Sequence, residues 1–382
     1  MGYLLLTGCT GLLGRYLMRD LMDAGVELAV LARPSRRKDP WYRVEAALKS
    51  WENLLGRRFP RPKVLGGDIS SPDFGLSRED YQWALRNCDS ILHNAASLSF
   101  VTTGRDAEPW RSNVDGTRNV MEFARAASIR KFFHVSTAYI SGLRQGRCYE
   151  HEVNLGQELG NCYEESKLEA EELVRAADYL DPPTVFRPGI IIGDSQTGLT
   201  TTFHNFYAAL QLGHTLNAQM GQLDLTGIRS AGMVRFNLDG TERKNLVPVD
   251  WVSRMMTHVI TEPKFHSETY HLTPRIPTTS RLMRDVIEVS VGAYGIELYG
   301  NVPRRTDGSE QEDIFFQHMQ VYNSYWRDDP EFDFTNITRV APHLPCPHVD
   351  RQMMLEIARW AIAHRFSWKD PDPEVVPEAI AS

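Results

Sequence analysis

The chain has 382 residues, with 42 basic and 49 acidic side chains and a formal charge of −7 at pH 7. This length can bury a sizeable core and can hold one large domain or two. The mild acidity argues against a nucleic-acid-binding protein or a generally basic membrane-binding face, and no apolar run approaches the ~20 residues of a membrane-spanning helix.

The cysteines, the histidines and the start of the chain indicate a reducing compartment and no metal. The five cysteines include no C-x-x-C pair and are Cys9, Cys88, Cys148, Cys162 and Cys346. Such usage favours reduced thiols over disulfides or zinc ligands. The twelve histidines have no spacing that fixes a metal site. Since the first predicted strand begins at Tyr3, we expect no signal or transit peptide and a cytoplasmic protein.

The first strand, Tyr3–Thr7, runs into glycines at 8, 11 and 14 and then into a helical pattern. The first two glycines let the backbone turn and approach a pyrophosphate, which the helix N-terminus then faces, and the third allows close helix packing. The spacing differs by one residue from G-x-G-x-x-G, which argues against an ordinary dehydrogenase domain. The alternative is a glycine-rich turn without a ligand. The predicted cofactor contacts here are Thr7, Gly8, Thr10, Gly11, Leu12, Leu13 and Gly14.

Short apolar runs alternate with helical periods through the first half of the chain. Strands are predicted at Tyr3–Thr7, Glu27–Ala32, Lys63–Leu65, Ser90–His93, Lys131–Val135 and Thr184–Arg187. Helices are predicted near 12–24, 41–55, 77–87, 109–127 and 163–178. This alternation predicts an α/β fold, a Rossmann-type doubly wound parallel sheet whose ligands bind at the carboxyl ends of the strands.

The end of the second strand indicates which dinucleotide is bound. An NAD site usually has an acidic residue there for the ribose 2′-hydroxyl, but here Arg33 follows Ala32, with more basic residues at 36–38. Guanidinium groups pair with phosphate in a bidentate manner and stay charged. We therefore predict NADP(H). A solvated basic loop is the alternative, more so for Arg37 and Lys38 than for Arg33.

The third and fourth strands also end in residues suited to a cofactor. Asp68 and Ile69 follow two glycines, where Asp68 is placed to meet the adenine amino group. The fourth strand ends in Asn94, Ala95 and Ala96, whose small side chains allow close approach to a ribose. Both segments are alternatively simple strand-ending turns.

Three further residues point to proton transfer. Thr137 follows the fifth strand and puts a hydroxyl at the carboxyl edge of the sheet, whereas Tyr163 and Lys167 lie one turn apart on a predicted helix. A nearby ammonium favours the phenolate and is expected to lower the pKa of Tyr163. A Y-x-x-x-K pair alone is common on solvated helices, but its position after this glycine motif indicates catalysis.

These segments together resemble the extended short-chain dehydrogenase/reductases. The matching segments are Thr7–Gly14, Asn113–Thr117, Ser136–Thr137 and the Tyr163/Lys167 pair. Segments 93–100, 135–139 and 187–193 look like thioester reductases. This branch holds the terminal reductase domains of carboxylic acid reductases and peptide synthetases, and the fatty acyl-CoA reductases. The resemblance is specific to about residue 195 and extends to about 290. Because the chain begins directly at the first strand, we expect no attached adenylation or carrier segment.

The resemblance implies a role for each matching residue. Thr137 and Tyr163 would hydrogen-bond the substrate carbonyl oxygen, and Lys167 would hold the nicotinamide ribose and tune Tyr163. Asn113 would support the active-site backbone or a proton-relay water. The predicted cofactor site also includes Pro188, Gly189, Ile190 and Ser136. Of these, Pro188 and Gly189 would lie along the nicotinamide.

The second half of the chain is predicted to be a smaller, mostly helical substrate or lid part. We divide the chain into a cofactor domain (1–195), a substrate and lid region (196–368) and a loose tail (369–382). Asp250 is expected to cap a helix at 251–262, with further helices near 279–292, 309–323 and 349–365. Region 195–245 is expected to set acyl specificity through a movable segment; permanent packing on the C-terminal helices is the alternative. Its glycines and apolar residues are Gly198, Gly213, Gly221, Gly227, Gly232, Met220, Leu223, Leu225 and Met233.

We therefore predict an NADPH-dependent reductase of an acyl thioester, on CoA or an acyl-carrier protein, giving an aldehyde or alcohol. One alternative is another extended-family enzyme, either a ketone or aldehyde reductase or a nucleotide-sugar epimerase or dehydratase. Arg33 argues against the sugar enzymes, which generally hold NAD. A catalytically silent, cofactor-sensing protein is the third alternative, against which the intact Thr137, Tyr163 and Lys167 weigh.

Overall fold

The computed structural model describes residues 2–35, 38–220, 229–300 and 310–373. The strands are β1 (Tyr3–Thr7), β2 (Leu28–Ala32), β3 (Lys63–Gly66), β4 (Cys88–His93), β5 (Lys131–Val135), β6 (Arg147–Cys148), β7 (Thr184–Pro188), β8 (Ile190–Ile192), β9 (Arg229–Phe236), β10 (Arg243–Lys244), β11 (Leu246–Pro248), β12 (Thr269–Leu272), β13 (Thr278–Thr279), β14 (Ala293–Leu298) and β15 (Glu331–Phe332). The helices are α1 (Leu12–Asp23), α2 (Pro40–Leu55), α3 (Arg78–Asn87), α4 (Gly116–Ala126), α5 (Cys162–Arg175), α6 (Phe206–Met220), α7 (Val249–Thr261), α8 (Ser280–Val291), α9 (Glu310–Met319), α10 (Thr335–Val340) and α11 (Arg351–Ala363).

A parallel sheet in the order β12-β7-β5-β4-β1-β2-β3 forms the centre of the described structure. Its strands are nearly continuous apolar runs because helices cover both faces: every residue of β2 is buried. Helices α1, α2 and α7 pack on one face, and α3 and α4 pack on the other. The predicted doubly wound α/β fold is confirmed. In the part of the chain that the structure describes, no helix has both the length and the apolar character needed to cross a membrane.

The helix predicted at 109–127 has an irregular start. Residues Arg111–Asp115 form a π-helical turn, and α4 begins only at Gly116. Just before this turn, the carboxylate of Glu108 accepts hydrogen bonds from the Ser112 hydroxyl (2.7 Å) and backbone N–H (3.3 Å). The wider turn places Asn113, one of the predicted site residues, on a buried face. Such turns are frequent at functional sites.

The predicted boundary at residue 195 does not separate the sheet from the rest of the chain. The edge strand β12 lies beyond this boundary and pairs in parallel with β7, with Thr269 opposite Val185. Helix α7 also packs on the cofactor half, where the Ser253 hydroxyl donates to Asp20 at 2.6 Å. Residues of α7 and β12 therefore complete the sheet domain, although they belong to the second half of the sequence.

Asp250 does not cap the helix as expected. Helix α7 begins at Val249, with Pro248 at the N-cap position, so Asp250 lies in the first turn. Its carboxylate accepts hydrogen bonds from the backbone N–H of Ser195 (2.9 Å) and from the Ser195 hydroxyl (2.8 Å). The prediction fails because the carboxylate lies one position inside the helix, where it contacts Ser195 of a distant loop and Arg254 one turn later at 3.0 Å.

Outside the sheet domain, α6, α8 and α11 share a core. Gly198 packs against α11, where a Cβ atom would lie 3.0 Å from the Cβ of Trp360. Gly213 lies within α6, Met220 ends that helix, and β9 includes positions 232 and 233. The other predicted lid residues, Gly221, Leu223, Leu225 and Gly227, lie outside the described residues, as do Arg36 and Arg37.

The predicted loose tail is held to the cofactor half over its first residues. Both carboxylate oxygens of Asp370 pair with the guanidinium of Arg15 at 2.5 Å, and one accepts the indole N–H of Trp368 at 2.8 Å. The Tyr42 hydroxyl contacts Asp372. A bidentate carboxylate pair is among the stronger polar contacts in proteins, which explains why this segment is ordered. Residues 374–382 of the predicted tail lie outside the described part.

Candidate active site

A cavity of about 580 Å³ lies along the carboxyl ends of the central strands. It runs from the glycine turn after β1, past the ends of β2 and β4, to the region between β5, α5 and the start of β8. The structure brings almost all of the predicted site residues to this one cavity. Thr7 and Asn113 are the two that lie behind its wall.

The glycine turn has the shape that a dinucleotide pyrophosphate requires. Gly8 has a φ of +71°, and a Cβ there would lie 2.8 Å from the backbone of Ala95. A Cβ at Gly14 would lie 2.0 Å from the carbonyl oxygen of Gly8, so only glycine allows α1 to pack this closely. Gly11 is the N-cap of α1 and provides no side-chain cap. The first turn of α1 thus borders the cavity with uncapped N–H groups, which suit an anion.

Thr7 fixes the shape of the adjacent strand end. Its hydroxyl oxygen accepts the backbone N–H groups of Asn94 (3.1 Å) and Ala95 (3.0 Å) and lies 2.9 Å from Nδ1 of His93. The other ring nitrogen of His93 contacts the Thr117 hydroxyl, which itself donates to a backbone carbonyl. His93 therefore donates from Nε2 and accepts from Thr7. Burial and the nearby Lys167 lower the pKa of His93 to about 3, so the ring is neutral.

Two arginines and one aspartate form the end of the cavity beyond β2 and β3. Arg33 is largely exposed, and its guanidinium lies 3.8 Å from Asp68. Arg43, from the first turns of α2, reaches back to donate to the Thr10 hydroxyl (2.9 Å) and to the Arg33 carbonyl (2.5 Å). The sequence analysis did not identify Arg43. This residue lies on α2, which the long connection after β2 brings back to the strand ends, and no sequence motif marks such a residue.

Thr137 and Tyr163 meet at the other end of the cavity. Thr137 directly follows β5, and Tyr163 lies in the first turn of α5, which Asn161 caps by accepting the Glu164 N–H. The side chains of Thr137 and Tyr163 both line this end of the cavity. Burial raises the pKa of Tyr163 above its ordinary value, while the nearby Thr137 hydroxyl acts in the opposite direction. A protonated phenol therefore faces the cavity at neutral pH.

Lys167 lies one helical turn after Tyr163, as predicted, and is buried. Its ammonium donates a 2.6 Å hydrogen bond to the carbonyl oxygen of Val135. Burial lowers the pKa of Lys167 to about 8, an effect that nearby Glu171 partly opposes. The expected lowering of the Tyr163 pKa by this charge is not observed. Burial of the phenol is the largest influence, and it raises the pKa of Tyr163 instead.

Asn113 supports the wall of the cavity from behind. Its side-chain oxygen accepts the Ser97 N–H at 2.7 Å, and its amide group donates to the Ser97 carbonyl (3.1 Å) and the Ser166 hydroxyl (2.8 Å). These contacts tie a cavity-lining loop to the helix that carries Tyr163. They fit the backbone-supporting role expected for Asn113.

Several aromatic residues of the site were not among the predicted site residues. The ring of Phe100 lies 5.8 Å from that of Tyr163 and 5.5 Å from that of Tyr325. Tyr139 both lines the cavity and donates to Asp329 at 2.6 Å. Tyr325 and Asp329 come from the C-terminal part, and tertiary packing alone brings them to the site.

The comparisons with known proteins identify the family of the chain. The sequence profile of the family described as male sterility protein matches residues 6–256, more than half of the chain. Nonribosomal peptide synthetase asaC of Aspergillus flavus is 27% identical over 290 residues, covering 72% of this chain and 26% of that protein. Fatty acyl-CoA reductase wat of Drosophila melanogaster is 26% identical over 280 residues, covering 64% and 51%. The chain thus spans between a quarter and a half of the length of these two relatives.

A solved structure supports the fold assignment. The terminal R domain from the myxalamid PKS-NRPS biosynthetic pathway superposes with a TM-score of 0.76 at 24% identity, covering 97% of this chain and 93% of that one. This superposition shows a similar fold, whereas the profile match shows similarity in sequence. The chain belongs to the male sterility protein family, in the thioester reductase branch of the extended short-chain dehydrogenase/reductases.

Proposed function

We propose that this protein is an NADPH-dependent reductase of acyl thioesters. The observation that carries the proposal is that the hydroxyls of Thr137 and Tyr163 and the ammonium of Lys167 line the same cavity as the glycine turn after β1. This arrangement puts proton donors for a carbonyl oxygen at one end of a site whose other end suits a dinucleotide.

The choice of NADPH over NADH rests on Arg33 and Arg43. Both line the adenosine end of the cavity, and Arg33 stands where an NAD site usually has an acidic residue. The guanidinium groups would hold the 2′-phosphate, and the first turn of α1 would hold the pyrophosphate. When bound, NADPH supplies the hydride that reduces the carbonyl carbon.

Tyr163 and Thr137 would act on the carbonyl oxygen of the substrate. Negative charge develops on that oxygen in the transition state, and two hydroxyl donors stabilise it. Because burial raises the pKa of Tyr163, the phenol holds its proton at neutral pH and delivers it to the oxyanion. Lys167, charged below a pH of about 8, would orient the ribose and favour the phenolate that remains after proton transfer.

The substrate class is a thioester, on CoA or on a carrier protein. The named relatives are a nonribosomal peptide synthetase and a fatty acyl-CoA reductase, and the second name specifies an acyl-CoA. Reduction of the thioester carbonyl gives a hemithioacetal, whose C–S bond then breaks to release the thiol and an aldehyde. A second reduction of the same product would give an alcohol.

The direct test is an assay of NADPH oxidation with a panel of acyl-CoA and acyl-carrier-protein thioesters, with the products identified by mass spectrometry. The proposal predicts loss of NADPH together with release of free thiol and of aldehyde or alcohol. Reduction of free ketones or aldehydes, with no thioester consumed in any part of the panel, would overturn it.

A further inference from the structure

The segment that follows α11 returns to the cofactor half of the molecule. We call residues 368–372 of this segment the strap. Within it, Asp370 pairs with Arg15 of α1, and Asp372 contacts the hydroxyl of Tyr42 on α2. The strap therefore joins the C-terminal part to the two helices nearest the adenosine and pyrophosphate end of the cavity. No step of the proposed reaction uses it.

The carboxylate of Asp370 is oriented before it meets Arg15. Its Oδ1 accepts the indole N–H of Trp368 at 2.8 Å and the hydroxyl of Ser50 at 3.3 Å. The indole itself stacks on Trp360 of α11, with the ring centroids 5.7 Å apart. These contacts fix the carboxylate so that both of its oxygens face the guanidinium of Arg15.

Arg15 connects the strap to the glycine turn after β1. Two of its nitrogens pair with Asp370 at 2.5 Å, and its Nε donates to the carbonyl oxygen of Thr10 at 3.0 Å. Only 9% of the Arg15 side chain is exposed. A buried guanidinium requires an anionic partner, because an unpaired charge is costly to remove from water. Asp370 is such a partner and so stabilises Arg15 in the position that reaches Thr10.

The contact with Arg15 fixes one peptide plane of the turn. The carbonyl of Thr10 accepts from Arg15, while the N–H of Gly11 donates to the carbonyl of Gly8 at 3.1 Å. Since the C=O and N–H of a trans peptide point in opposite directions, the two hydrogen bonds hold this peptide from both sides. Arg43 holds the Thr10 hydroxyl at 2.9 Å. Thr10 and Gly11 line the cavity at the place proposed for the pyrophosphate.

We propose that Asp370 is a positioning residue for the dinucleotide: through Arg15, it holds the turn after β1 in the conformation that binds the pyrophosphate. This inference rests on the dinucleotide binding in the proposed function and assigns part of it to the strap. The pyrophosphate is common to NADPH and NADH. Asp370 therefore supports the binding of both, whereas Arg33 and Arg43 act on the 2′-phosphate of NADPH.

The sign of the effect separates positioning from simple electrostatics. A carboxylate repels an anionic ligand, so Asp370→Asn should tighten dinucleotide binding if charge alone matters. If Asp370 acts through Arg15, the same change should weaken binding. Asp372→Asn is the matched control. It removes the same charge from the same segment, but Asp372 is exposed and contacts Tyr42 rather than Arg15.

The experiment measures Kd values by titration calorimetry for the wild type, D370N, D372N and W368F. Trp368→Phe keeps an aromatic ring but removes the N–H that orients Asp370, and is a milder change. The four probes are NADPH, NADH, ADP and adenosine 2′-monophosphate. The first three carry the pyrophosphate, whereas the fourth carries only the phosphate proposed for Arg33 and Arg43. Thermal unfolding shows whether each variant is folded.

We expect D370N to weaken NADPH, NADH and ADP by about tenfold each and to leave adenosine 2′-monophosphate at its wild-type Kd. W368F should show the same pattern at about threefold, and D372N should bind all four probes as the wild type does. If D370N does not fold, W368F decides the question.

Three results would overturn the inference. The folded strap variants could bind NADPH as tightly as the wild type or more tightly, which would assign no positioning role to Asp370. They could lose affinity for all four probes equally, which would indicate a general loss of structure. A wild type that binds neither NADPH nor NADH would overturn the proposed function as well, and this result differs from the other two because it appears without any substitution.

Discussion

The phenol of Tyr139 donates a 2.6 Å hydrogen bond to the carboxylate of Asp329. Tyr139 lies two residues after Thr137 at the catalytic edge of the sheet, whereas Asp329 comes from the C-terminal part. The same carboxylate pairs with Lys244 at 2.8 Å and accepts the backbone N–H of Asn245 at 3.0 Å. Since Tyr139, Asp329 and Lys244 are all buried, this cluster fixes the C-terminal part against the active site.

The first prediction concerns the stability that this cluster provides. Asp329→Ala would leave the buried ammonium of Lys244 without its carboxylate and should lower the free energy of unfolding by about 3–5 kcal/mol. Tyr139→Phe removes one hydrogen bond but keeps the ring, and should cost about 0.5–1.5 kcal/mol. Urea denaturation of both variants checks the difference. Equal stabilities for the wild type and Asp329→Ala would mean that the cluster does not hold the two parts together.

The second prediction concerns cofactor choice. Arg33→Ala and Arg43→Ala should each weaken NADPH binding by about 1.5–3 kcal/mol, the value of a hydrogen bond to a charged group, and should leave NADH binding nearly unchanged. Arg57→Ala is the control, because Arg57 is also on the surface beyond α2 but pairs with Asp23 away from the cavity. Calorimetry of the wild type and of each variant with NADPH and with NADH gives the Kd values that test this prediction. A wild-type protein that binds both cofactors equally well would refute the assignment.

The third prediction concerns pH and Lys167. Its pKa is lowered to about 8, so the ammonium is charged below this pH and loses its proton above it. Binding of the anionic cofactor should therefore weaken as the pH rises through 8, and Lys167→Met should remove this dependence. A Kd for NADPH that is constant from pH 7 to about 9 in the wild type would contradict the role proposed for this charge.

The lowered pKa of Lys167 also determines how the free energy of unfolding changes with pH. Between pH 8 and 10.5, the ordinary lysine value, the unfolded chain holds a proton on Lys167 that the folded chain has released. The contribution of Lys167 therefore opposes folding most at and below pH 8 and declines as the pH rises through this window. The difference in unfolding free energy between the wild type and Lys167→Met, followed over this range, measures the effect.

The sheet was predictable where the sequence shows short, mostly apolar runs. Strands β1 and β5 match their predicted bounds, because each is a short apolar run that a glycine or hydroxyl residue ends. Strand β12 was not assigned as a strand, because it has only four residues, one of them the polar His271, and lies where the alternation of strands and helices weakens. In the fold, the ring of His271 is buried and contacts the Asp333 carbonyl oxygen through Nδ1 at 2.7 Å. A hydrogen-bond partner distant in sequence thus allows His271 to be buried, although its polar side chain alone would predict an exposed residue.

The site was predictable in the parts that the strand ends and the Tyr163/Lys167 spacing supply. Residues such as Asp68 and Thr137 follow strands directly, and the topology of a parallel sheet alone brings them together. Arg43, Phe100 and Tyr325 come from a helix, a loop and the C-terminal part, and reach the cavity through tertiary contacts. Such contacts leave no local pattern in the sequence, so these parts of the cavity wall could not be predicted from it.

The most direct test of the account is the turnover of Tyr163→Phe on an acyl thioester that the wild type reduces, measured as NADPH oxidised and product formed. The variant loses the proton donor but keeps the ring packing against Phe100. The account predicts that turnover falls by about 10²–10⁴ while the Kd for NADPH and the unfolding temperature stay near the wild-type values. Wild-type turnover in Tyr163→Phe would contradict the central claim that this phenol protonates the substrate carbonyl oxygen.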